Sequence, residues 1–162
     1  MKHSLRIVSL TCVLLSGSAA PAQETLNRAL QVDVAVSQSA FSAVIRKVRL
    51  LESVSYRVGW TLEPGDFHKL SEECLRYGSL KDLKALLGDE SPILRVLGLI
   101  CLAKSVGPEE FLAIAKPLYL DLAQVRITNG CVLNRSTTVG GIAEQLAEDR
   151  FFLVADDKSP AR

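Results

Sequence analysis

Leu80-Lys-Asp-Leu-Lys-Ala-Leu-Leu-Gly-Asp-Glu-Ser-Pro-Ile-Leu-Arg-Val-Leu-Gly-Leu-Ile-Cys-Leu-Ala-Lys104 decides the fold. Its first half puts Leu80, Leu83, Leu86 and Leu87 on one face of a short helix, with Ser79 placed to cap it. Gly88 stops that helix. Pro92 starts the next at its first position, where a missing N–H is tolerated. From Pro92 to Ser105 only Arg95, Gly98 and Lys104 interrupt an apolar run. A helix that is apolar nearly all round must be covered on more than one side. The expectation is an antiparallel helix hairpin with neighbours on both flanks and Leu97 buried between helices.

The neighbours follow from the same period. Upstream, Asp66 is placed to cap a helix over 66–77, with Phe67, Leu70 and Cys74 inward and His68 outward. Downstream, Glu109 and Glu110 favour a helix start, and Phe111, Leu112, Ala115 and Leu118 continue it until Pro117 forces a kink or restart. Phe41, Val44, Ile45, Val48 and Leu51 mark another helix beginning near Ser39. A last one over 137–149 turns Ile142, Ala143, Leu146 and Ala147 inward, with Phe151, Phe152 and Val154 available to pack back on the bundle.

Two segments have an ambiguous period. Val32, Val34 and Val36 alternate like a strand, while Leu26, Ala29, Leu30 and Asp33 are spaced like a helix. Val54, Tyr56, Val58, Trp60 and Leu62 also alternate. A single strand at 54–62 has no evident partner, so the preferred reading continues the 39–58 helix to about Gly59. The alternative is a two-stranded ribbon with the Val32 segment. Thr128 to Ser136 is polar and rich in turn residues, and reads as a loop. The fold class is therefore all-α: a short right-handed superhelix of about six helices arranged as antiparallel hairpins.

A partial internal copy supports this. Leu86-Leu87-Gly-Asp89 lies 32 positions before Leu118-Tyr119-Leu-Asp121, and Gly98 lies 32 before Gly130. Leu94-Arg95 is answered by Val125-Arg126 one residue out of step. A period in the thirties with paired helices is the signature of stacked α-repeats. On the Leu83–Asp89 run, Ser91-Pro92, Leu94-Arg95 and Gly98, the segment 83–146 resembles HEAT-like repeats. Asp121 to Ala143, with Gly130-Cys131 and Thr138-Val139-Gly140, is similar to the ending of small exported HEAT-like proteins of bacteria. The resemblance implies a fold and no activity. It implies scaffold roles for Asp89, Pro92, Arg95, Gly98, Asp121 and Gly130.

Composition and address bound the function. The 162 residues carry a formal charge of +1 and 48% apolar side chains, without the clustered basic excess of a nucleic-acid binder. Lys2, His3 and Arg6, then the apolar run Ile7–Leu15, then Ala20-Pro21-Ala22, have the layout of a secretory signal cut before Gln23. The run is too short to span a membrane. That divides the chain into a signal at 1–22, a lead-in at 23–37, a helical domain at 38–153 and a polar tail at 154–162. It predicts a periplasmic or extracellular protein with no stable membrane span after cleavage. The remaining Cys74, Cys101 and Cys131 lack close ligand pairs for a metal. They read as small buried hydrophobes, with one bridged pair as the alternative.

No catalytic motif and no cofactor motif is present. The expected function is that of a non-enzymatic protein-binding module or scaffold. Its partner would meet Asn129, Asn134 and Arg135 in the polar loop, with Arg46 and Arg49 on the basic side of the 39–58 helix. Two alternatives stand beside it. One is a thiol- or chromophore-related enzyme of HEAT-like fold, in which a Cys–His dyad would have to use His68. The other is an envelope structural protein held by an uncleaved signal.

Overall fold

The computed structural model describes residues 20–58, 63–130 and 132–148, with side chains at 31–55, 63–128 and 135–148. The signal region before Ala20, Gly59 to Leu62, Cys131, Phe151, Phe152, Val154 and the 154–162 tail lie outside these residues. The chain divides into two compact units, 1–34 and 35–162. In the first, residues 20–34 begin helix α1 (Ala20–Arg49), where Val32 and Val34 are exposed. The alternation there carries no burial, and the segment is helical.

The second unit contains the rest of α1, then β1 (Val54–Val58), β2 (Glu63–Pro64), α2 (Asp66–Tyr77), α3 (Leu80–Leu86) and α4 (Pro92–Ser105). After these come α5 (Pro108–Ala115), a 3-10 turn at Lys116–Leu118, β3 (Gln124–Gly130), β4 (Val132–Thr138) and α6 (Val139–Ala147). The protein is mostly helical, but it is not all-α. Four strands form one sheet in the order β2-β1-β3-β4.

The sheet corrects two expectations at once. The helix expected over 39–58 ends at Arg49, where Leu50 N donates to Lys47 O at 3.1 Å and Leu51 N to Val48 O at 3.0 Å. Beyond it, an alternating pattern can bury one face only as a strand. Val54 is fully buried and pairs in parallel with Ile127, and Ser55 with Thr128. The partner strand, β3, runs into the stretch expected as a loop, Thr128 to Ser136. β3 and β4 are a hairpin, antiparallel from Gln124↔Thr138 to Ile127↔Arg135, with a register shift before Asn129↔Val132. Val125 and Ile127 are buried, while Gln124, Arg126 and Ser136, which pairs with Arg126, are exposed, so polar residues here mark an open sheet face. Between α5 and α6 the chain runs through this hairpin in place of another helix pair.

The core is built on α4. Leu94 and the unbroken run Val96 to Leu102 are buried. Seven consecutive buried residues sweep every side of a helix, and α2, α3, α5, α6 and β3 all contact α4. Gly98 is where α3 comes closest: a Cβ there would stand 3.0 Å from Leu86 Cβ and 3.1 Å from Leu83 O. Ser79 caps α3 through a reciprocal box with Asp82, whose carboxyl these hydrogen bonds hold below the usual carboxylate range. Pro92 occupies the first turn of α4. Three local expectations fail. Asp66 is the first residue of α2, and Gly65 precedes it as the cap without a side-chain bond. Leu80, expected inward, is 42% exposed. His68, expected outward, is half-buried.

Substituting Leu97, which is 0% exposed, with alanine should cost about 2–5 kcal/mol in denaturant unfolding. A loss below about 0.5 kcal/mol, the usual surface range, would place α4 elsewhere.

Candidate interaction surface

Two surface hollows flank the connection between α1 and β1. The first, about 380 Å³, lies against the end of α1 and the first turns of α2. Leu50, Leu51 and Leu70 give it an apolar floor, and Lys47, Asp66, Lys69 and Glu73 give it a charged rim of both signs. The tight turn that ends α1 leaves Leu50 83% exposed, while Leu51 and Leu70 face the core. Lys69 and Asp66 stand 4.0 Å apart one turn along α2. The second hollow, about 390 Å³, is polar and lies on the sheet: Glu52, Gln124, Val125, Arg126 and Ser136 line it. Leu50 and Leu51 thus line one hollow and the adjacent Glu52 the other.

The residues expected at a partner surface divide between these regions. Arg46 is exposed on the last turns of α1. Arg49 is not a free basic residue: its Nη2 donates to Asp89 Oδ2 at 2.7 Å. Arg135 is exposed on β4 beside Ser136, in strand and not in loop. Asn129 and Asn134 lie on β3 and β4, their side chains outside the described set. Leu50, 83% exposed in the first hollow, was legible as an apolar residue off the face that carries Val48 and Leu51. Reading the helix through to Gly59 concealed it.

The residues expected to hold geometry are brought together more closely. Asp89 Oδ1 accepts from Ser91 N at 2.8 Å, and Arg95 Nη1 donates to Asp89 O at 2.6 Å and Glu90 O at 3.1 Å. Arg95 Nε stands 2.8 Å from Asp121 Oδ2 as an ion pair, and Nη2 donates to Oδ1 at 3.3 Å. Asp121 Oδ1 also accepts from Ala123 N at 3.0 Å, and its carbonyl accepts Gly140 N at 2.9 Å. Thr138 Oγ1 takes Gly141 N at 3.0 Å, so the first N–H groups of α6 are satisfied. A Cβ on Gly140 would collide with the Tyr119 carbonyl, which is why the approach needs glycine. One polar line therefore runs from α1 through the α3–α4 turn to the start of α6.

Asp89 and Asp121 make matching bonds: Asp89 N to Leu86 O at 3.1 Å, Asp121 N to Leu118 O at 2.9 Å, and each carboxylate to the backbone N–H two residues on. These two turns lie 32 residues apart. Past it, Gly98 lies in a helix and Gly130 in a strand.

The thiols are interior. Cys74 and Cys101 are both 0% exposed, and Cys101 Sγ donates to Ser71 O at 3.7 Å. Its contact with the Cys74 thiol, and then burial, push the Cys101 thiol up far beyond its ordinary range. Lys104 Nζ donates to Glu72 at 2.8 Å beside this contact, and that bond lowers the Glu72 pKa. Among the described residues, no group of three or more His, Cys, Asp or Glu side chains is placed to hold a metal. No described helix is long and apolar enough to cross a membrane.

The chain matches no known protein-family model, and no curated protein matches it.

The Arg95–Asp121 pair has side chains only 14% and 18% exposed, so its strength should exceed that of a surface pair. A double-mutant cycle with Arg95→Met and Asp121→Leu should give a coupling of about 1–3 kcal/mol. A coupling within about 0.3 kcal/mol of zero would mean that the pair does not brace the α5–β3 turn.

Proposed function

We propose that this is an exported, non-enzymatic helical protein that binds a protein partner through the hollow at the end of α1. The observation that carries the proposal is Leu50, an aliphatic side chain 83% exposed beside an apolar floor with a charged rim. Protein interfaces have this anatomy: an apolar centre that loses its water and a polar rim that sets register. The rim carries two cations, Lys47 and Lys69, and two anions, Asp66 and Glu73, with Arg46 exposed nearby. Such a rim favours a partner bearing both signs over a nucleic acid or an anionic lipid surface. The polar hollow around Arg126 and Ser136 lies across Glu52 and would extend the contact onto the β3–β4 hairpin.

The HEAT-like reading belongs to this proposal for the α3–α4 hairpin, where Asp89, Pro92 and Arg95 set the turn. Export belongs to it through the signal layout at 1–22. For the two described cysteines the thiol-enzyme alternative is disfavoured by its own chemistry. A nucleophilic cysteine needs an accessible thiolate, whereas Cys74 and Cys101 are enclosed and the Cys101 thiol is held protonated.

The test is site-specific photo-crosslinking in the native host, with the reactive side chain at Leu50 or Lys69 and, as a control, at the exposed Lys81 of α3. A discrete adduct from the hollow positions, lost when Lys47→Glu reverses one rim charge and absent from position 81, is expected. Equal labelling at all three positions, or none at the hollow, would remove this surface from consideration.

A further inference from the structure

Cys74 and Cys101 lie on different helices, and both are buried where α2 meets α4. In a helix, a side chain passes over the carbonyls of residues three and four before it. Ser71 lies one turn before Cys74 on α2, and Ser71 O is the atom to which Cys101 Sγ donates at 3.7 Å. The two thiols are neighbours there, Cys74 being the first cause of the upward shift of the Cys101 thiol. The residues at this crossing let the helices approach. Ser71 is small and 1% exposed, and its hydroxyl is turned back onto its own helix, bonding His68 O at 2.7 Å. The Lys104–Glu72 bond at 2.8 Å joins the same two helices and fixes their register.

We infer that Cys74 and Cys101 close a disulfide between α2 and α4 when the chain folds in the presence of a disulfide oxidant. The oxidant is either a small-molecule disulfide or the disulfide of an oxidoreductase. One cysteine thiolate attacks a sulphur of the oxidant, forming a mixed disulfide and releasing one reduced sulphur. The second cysteine then attacks the protein sulphur of that mixed disulfide. The Cys74–Cys101 bond forms and the second reduced sulphur leaves. The two cysteines lose two electrons and two protons in total, and the oxidant takes up both electrons as a dithiol or two thiols. Oxidation belongs to the folding stage, because both sulphurs are fully enclosed once α4 is covered. The bond would tie the ends of the segment α2–α3–α4, the half of the core that precedes the hairpin. It leaves Cys131 as the odd cysteine of a chain cut before Gln23.

The full chain, unfolded and reduced, should be refolded in a mixture of oxidised and reduced glutathione, then alkylated under denaturing conditions and mapped by peptide mass spectrometry. The expected product joins the Cys74 and Cys101 peptides, two hydrogens lighter than the separate peptides, with Cys131 carried by alkyl or glutathione. Its thermal midpoint should fall by several degrees after reduction in denaturant and refolding with reductant. Cys101→Ala should show no such reducible shift. Recovery of both Cys74 and Cys101 alkylated, or of either joined to Cys12 or Cys131, would overturn the inference. The mapping uses the unmutated chain, so it decides the matter even where the variant fails to fold.

Discussion

Everything in the larger unit depends on covering α4. A helix buried over seven consecutive residues has no face that can meet water, so its neighbours have to enclose it. The enclosure draws on both halves of the chain: α2 and α3 precede α4, while α5, β3 and α6 follow it. This requirement also explains the sheet. Helices supply most of the wall, and the strand face carrying Val125 and Ile127 supplies the rest. β1 joins through Val54, which is buried and aligned with Ile127.

The polar residues near α4 serve that enclosure and do not interrupt it. Arg95 is the one charged residue in the first turn of α4, and it directs its donors to the backbone of the preceding turn and to Asp121 of the following one. Asp121 then orders Ala123 and receives Gly140, which sets the start of α6. A partly buried ion pair contributes little as a bare Coulomb term but much as a geometric constraint, because each partner left alone would face desolvation unsatisfied. The surface offered to partners lies off this line. Leu50 stands beyond the end of α1, where no core contact restrains it.

Much of this was legible in the sequence, for physical reasons. α4 could be read to its ends because an apolar run bounded by Pro92 and Gly107 has one economical structure. Ser79 and Pro92 announce their helices through chemistry local to the backbone. The Asp89–Arg95–Asp121 set could be picked out by spacing, but not that the three residues form one line. The sheet was not legible. β1 and β3 are far apart in sequence and pair in parallel, so neither carries a local sign of the other. In sequence a strand at Val54 has no evident partner, because its partner is polar along one face, and that face is open. Leu80 fails differently: its period fits the inner face, but it is the first residue of a short helix, at the margin of its contact.

The central claim is that the strands belong to the same core as α4, and native-state hydrogen exchange measures this directly. Amides of Leu97 to Leu102 and of Val125 and Ile127 should exchange only through global unfolding, with one shared free energy equal to that from denaturant. Exchange of the β3 amides at a free energy several kcal/mol below that of α4 would contradict the claim, since the sheet would then open while the helices stay closed.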